Sequence, residues 1–177
     1  MPLSIDKLNS LHQALGERYD RLAGLMHRSE DELQLTVDAI SSWSVAEQMH
    51  HIASSTALML AGVMRIAGQV SPAKLEGRIS AMGRAVLMSG RFPRGKGKAP
   101  ARTMPPETVS REELETAVAR SRRMYDSVAE VLEKAAVSDW KVEHPYFGML
   151  NAEQWLKLAA IHADHHFRII EDIDSAA

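Results

Sequence analysis

The segment "NAEQWLKLAAIHADHHFRII", residues 151–170, places three histidines within five positions. His162 and His166 are one helical turn apart, so both rings project from one face. That face continues as Trp155, Leu158 or Ala159, then His162, His166, Ile169 and Ile173, which is the stripe a helix would bury. A buried imidazole must satisfy two ring nitrogens, and two stacked one turn apart cannot both be charged without repulsion. A shared divalent cation meets both demands, because it binds the neutral ring through one nitrogen. Two hydrogen-bonded core histidines are the alternative. His165 lies about 100° round the helix from His166 and is expected at the edge of the same face. Asp164 points roughly the other way and is expected to pair on the surface with Arg168 at i+4.

A metal site needs a further protein ligand, and the second histidine cluster is His50 and His51. Their helix is apolar around most of its circumference, so periodicity does not choose between them. His51 shares its side with Ser55, Leu58, Gly62 and Ile66, whereas His50 shares its side with Glu47, Ser54 and Arg65. The less polar surroundings favour His51 as the inward ring. Glu47 precedes His50 by three residues and His51 by four, so it is the nearest candidate for a hydrogen-bond acceptor behind a ligand, or for a general base. Its blander role is in a helix cap. His12, His27 and His144 have no spacing partner and are not expected to be ligands. The chain has no cysteine, which excludes disulfides, thiolate metal sites and a cysteine nucleophile.

Four helices have to position these rings. The first runs from about Ile5 to Met26 on Leu8, Leu11, Leu15, Tyr19, Leu22 and Leu25. The second begins at "SVAEQMHHIASSTALMLAGVMRI", the third at "SREELETAVARSRRMYDSVAEVLEKAA", and the fourth at Asn151. Ser44 with Glu47, Ser110 with Glu113 and Asn151 with Gln154 each fit a capping box, in which side chains satisfy free N–H groups at a helix start. Strand signals are few, and "HPYFG" at 144–148 reads as a turn leading into the fourth helix. The expected fold is therefore all-α, a four-helix bundle formed by a single domain over 1–177. A crossover at 68–110, rich in Gly and Pro and interrupted by a short helix around Lys74 to Met88, lets helices two and three run parallel, in up-down-down-up order.

That crossover carries Arg78, Arg84, Arg91, Arg94, Lys96, Lys98 and Arg102 without an acidic residue between 77 and 106. It reads first as a solvated basic loop and second as a lid that attracts an anionic substrate. Nucleic-acid binding comes last, because no aromatic interleaving accompanies the charges and the net charge is −2. Residues 1–25 include Asp6, Lys7, Glu17 and Arg18, which argues against a signal peptide, and no segment is apolar enough to span a membrane. A cytoplasmic protein is expected.

Two motifs now carry a resemblance. "WSVAEQMHHI", 43–52, is similar to the W-S-x-x-E-x-x-x-H helix start of the DinB/YfiT-like superfamily of metal-binding four-helix bundles. "HPYFGMLNAEQWLKLAAIHADHHFRII", 144–170, resembles its closing H-x-x-x-H helix, and in particular a DinB-like subgroup with an HP-x-FG turn. The resemblance puts a three-histidine site on His51, His162 and His166, and implies a divalent metal, zinc or nickel, with positions left for water or substrate. It departs at 68–110, which matches nothing in the family pattern, and at Ile169, where relatives carry Gln. Relatives include transferases and isomerases that use low-molecular-weight thiols, and expected hydrolases; some form dimers. The resemblance thus implies a divalent-metal-dependent enzyme that activates a thiol or water toward a small-molecule substrate, with a homodimer plausible. A non-catalytic, stress-related metal-binding bundle is the alternative. Lacking cysteine, the chain would take any thiol from a low-molecular-weight cofactor.

Overall fold

The computed structural model describes residues 3–93 and 99–177, so Arg94, Lys96 and Lys98 of the basic crossover lie outside the described residues. The fold is mainly helical, in the order α1 (Ile5–Leu25), α2 (Glu30–Leu33), α3 (Val45–Gly68), α4 (Ala81–Ser89), α5 (Arg111–Ala129), α6 (Leu132–Val137), β1 (Val142–His144), β2 (Gly148–Leu150) and α7 (Ala152–Ala176). No described helix is long and apolar enough to cross a membrane.

The long helices begin where the sequence places their caps. Ser44, Ser110 and Asn151 each accept the N3 amide while Glu47, Glu113 and Gln154 reach back to the N-cap amide. Such a cap is worth about 1 kcal/mol. Ser29 and Glu32 build a fourth box for the one-turn α2. α3 is buried on most sides, as its composition requires, with α7 against one flank and α5 against another. α5 buries only Leu114, Ser121 and Val128, a narrow stripe suited to the edge of the packing. The expected third helix stops at Ala129 and resumes as α6, which lets Leu132, Ala135 and Ala136 turn inward toward α1 and α3.

Ion pairs tie α1 and the turn after it to α7, among them Arg18 with Asp164 at 2.8 Å and Arg21 with Glu171 at 2.6 Å from the helix, and Arg28 with Asp174 at 2.7 Å from the turn. Asp164 is thus held by Arg18 across the helix interface rather than by Arg168 one turn along. The reason is geometric: the guanidinium grips both carboxylate oxygens, through Nε at 3.1 Å and Nη2 at 2.8 Å.

One element escaped the sequence reading. Residues 142–150 form a short antiparallel hairpin with Val142 opposite Leu150 and His144 opposite Gly148, and the HPYFG turn is its tip. The hairpin also pairs with the crossover: Ser80 N–H donates to the Phe147 carbonyl at 2.7 Å, and Met149 N–H to that of Arg78 at 3.1 Å. Extended pairing at Ile79 pushes the start of the crossover helix to Ala81, later than the expected Lys74. Gly148 makes this possible. Its φ is +74°, and a Cβ there would lie 2.6 Å from the Arg78 carbonyl oxygen.

Gly148→Ala is therefore expected to lower stability by roughly 1–3 kcal/mol, the cost of a left-handed residue with a side chain plus the clash. Urea unfolding monitored by circular dichroism would measure it, and an unchanged midpoint would contradict the close approach.

Candidate metal centre

The core divides into two apolar clusters. One takes Trp155 to Ile161 of α7 together with Met59 to Ile66 of α3; the other takes Ala163 to Ile173 together with Val45 to Ala53. His162 falls at the division on α7, with His166 one turn beyond it and His51 facing both from α3. Each of the three rings offers a nitrogen within 4.8 Å of the others. Ring centroids stand 4.9 Å apart for His51 and His162, 4.5 Å for His51 and His166, and 4.6 Å for His162 and His166. Relative exposure is 3% for His51, 9% for His162 and 7% for His166, so the triangle is largely buried with little contact with solvent.

Packing settles what periodicity left open: His51 joins the pair on α7 and His50 does not. His50 is half-buried, and Glu113 of α5 is the charge acting on it. His165 packs edge-on to His166 and against Phe92 but lies outside the triangle, as its angle on the helix implied. His12 stacks on Tyr125, and His144 stacks on Phe147 next to Trp155.

The outer nitrogens decide the tautomers. His51 Nδ1–H donates to the Thr103 carbonyl at 2.7 Å, which leaves the Nε2 lone pair inward, 3.2 Å from His162 Nε2. His166 Nδ1–H donates to Gln48 Oε1 at 2.6 Å. Gln48 Nε2 in turn donates to Ser41 Oγ at 2.9 Å. His162 Nδ1 has no hydrogen-bond partner among the described residues. Glu47 accepts the Ser44 amide at 2.7 Å, so the carboxylate serves the helix cap, and the acceptor behind His166 is its neighbour Gln48. Trp43 roofs the cluster, 5.0 Å from His51 and near-parallel to His166 at 6.3 Å. Phe92, just after α4, meets His162 edge-on at 5.8 Å.

Burial holds all three rings below the ordinary imidazole pKa, and neighbouring imidazoles push His162 and His166 further down. The rings are neutral at neutral pH, with lone pairs available. Imidazole nitrogens about 2.0–2.1 Å from a tetrahedral ion stand about 3.3–3.4 Å apart, close to the 3.2 Å between His51 and His162. The donors are all imidazole, a set suited to a divalent transition metal, and two of the three rings are anchored through the outer nitrogen as metal-binding histidines are. The residues fit a divalent ion.

Gln48, Thr103 and Phe92 were not foreseen. Gln48 left one trace, an uncharged polar residue on the face of α3 that His51 also occupies, three residues before it. Thr103 and Phe92 come from the crossover, where no periodicity reports position. The crossover's Arg78, Arg84, Arg91 and Arg102 are exposed.

Comparison with known proteins gives one match: the family model described as the DinB superfamily covers residues 9–170. No curated protein and no solved structure matches the chain.

The buried rings set a pH dependence. In the unfolded chain the histidines at 51, 144, 162 and 166 take up protons near 6.5, whereas burial depresses their folded values, to about 4 for His144. The unfolded state therefore binds more protons below about pH 6.5, and stability is lost as pH falls through that window. Chelator-treated protein should unfold at lower urea at pH 5 than at pH 7.5. His162→Phe should narrow the gap; an unchanged gap would show that the cluster is not its source.

Proposed function

The chain belongs to the DinB superfamily, and from that premise we propose that it is a divalent-metal-dependent enzyme whose ligands are His51, His162 and His166. The observation that carries this reading is the convergence of three buried, neutral imidazoles, two with outer nitrogens already committed. Zinc or nickel suits such donors. When bound, the ion would polarise a thiol or water into a nucleophile near neutral pH. The chain's own groups do the rest. Thr103 and Gln48 keep the ring lone pairs turned inward, while Trp43 and Phe92 exclude water from the rings. The exposed arginines of the crossover would draw an anionic small molecule toward Phe92. With no cysteine in the chain, any thiol comes from a small-molecule cofactor. A base role for Glu47 would require its carboxylate to leave the Ser44 amide.

We read the framework as a four-helix bundle of α1, α3, α5 and α7 in up-down-down-up order. Arg18, Arg21 and, just past α1, Arg28 meet Asp164, Glu171 and Asp174 of α7 in the same chain order, which supports parallel first and last helices. Tyr19 near Ser121 and His12 near Tyr125 run in opposite senses, which supports an antiparallel α1 and α5.

Metal analysis of tag-free protein purified without chelator is expected to give close to one divalent ion per chain, and His162→Ala to lose most of it. Substoichiometric metal that does not fall in the variant overturns the site. Catalysis is tested on a panel of electrophiles with several small thiols, wild type against His166→Ala. A rate above background that the variant loses supports the enzyme; equal background rates favour a non-catalytic metal-binding bundle.

A further inference from the structure

Metal-binding histidines are commonly backed by a carboxylate, which shares its negative charge with the ring and through it with the ion. This site is backed otherwise. The acceptor behind His51 is a peptide carbonyl and the acceptor behind His166 is the amide of Gln48, both neutral. The carboxylates closest in sequence are turned to other work, Glu47 on the Ser44 amide and Asp164 on Arg18. Gln48 is also fixed in orientation. Its Nε2 is used on Ser41 Oγ, which accepts the Trp43 amide as well at 3.0 Å, so Oε1 is committed to the ring.

Resting on the metal reading above, we propose that Gln48 is a positioning residue that keeps the centre an uncompensated dication, and that the centre thereby selects an anionic ligand, a thiolate or carboxylate, over a neutral one. Three neutral rings would leave the full charge of a divalent ion beside the aromatic faces of Trp43 and Phe92, where low polarity magnifies its attraction for an anion. A glutamate in place of Gln48 has the same shape. Ser41 can reverse its hydroxyl to donate to it, so Gln48→Glu changes charge with little change in packing.

The test uses Co²⁺ as the probe metal, with thiocyanate as the anionic ligand and imidazole as the neutral one, followed through the visible spectrum of the loaded protein. Gln48→Glu is expected to hold Co²⁺ at least as tightly as wild type, to bind thiocyanate about tenfold more weakly, and to keep its imidazole affinity within about twofold. Gln48→Ala, which leaves His166 Nδ1–H without its acceptor, is expected to weaken Co²⁺ binding about 10–100-fold. If Gln48→Glu holds Co²⁺ and binds thiocyanate as wild type does, the charge role is overturned while the metal reading stands. If Gln48→Ala holds Co²⁺ as tightly as wild type, the positioning role is overturned. Failure of wild type to bind Co²⁺ at all overturns the metal reading, and this proposal with it.

Discussion

Three imidazoles with ring centres less than 5 Å apart, each at most 9% exposed, strongly favour the state in which none is protonated. A proton on one ring would bring a charge into an environment that solvates it poorly, beside two neighbours with equal claim to it. Much of the surrounding structure answers this constraint. The apolar core is split in two around the rings, so His162 has Leu158 and Ala159 on one side and Ala163 and Phe167 on the other. The outer nitrogens of His51 and His166 are given acceptors, which selects the tautomer whose lone pair faces inward. Trp43 and Phe92 close the edges with aromatic surface.

The crossover takes part in this arrangement instead of merely linking α3 to α5. Thr103 supplies a carbonyl and Phe92 a ring, so described residues on each side of 94–98 touch the cluster. The hairpin at 142–150 steadies the approach from the other end, because its turn pairs with residues 78–80 just before α4. Gly148 is where the two backbones come closest. A short strand pair of little stability by itself is thereby useful, as it sets where α4 begins and so where Phe92 falls.

How much of this could be read from the residues depended on the kind of signal. Capping boxes are local, and Ser44, Ser110 and Asn151 were legible because each needs only its own first turn. The i,i+4 pair His162 and His166 was legible for the same reason. His51 was favoured over His50 only weakly, since α3 is buried nearly all round and its faces differ little in polarity. The partners of the rings were not legible. Gln48 acquires meaning only when α7 lies across α3, and Thr103 contributes a backbone atom that its side chain does not advertise. Asp164 taught the same lesson in reverse: a neighbour at i+4 on its own helix lost to Arg18, 146 residues away. The hairpin escaped because three-residue strands are too short for alternation to declare itself.

The α1–α7 ion pairs have one more consequence. Solvent-accessible pairs of this kind, even partly buried ones, add little free energy, on the order of 0–1 kcal/mol each. Their spacing matters more than their strength. Arg18, Arg21 and Arg28 meet Asp164, Glu171 and Asp174 like marks on a vernier, two of the pairs gripping both carboxylate oxygens. Sliding α7 by one turn, about 5.4 Å, would break every mark at once and carry both histidines out of reach of His51. The outward face of α7 thus acts as the alignment scale for its inward face, and Asp164, seated between His162 and His166 in the chain, is the graduation nearest the point being measured.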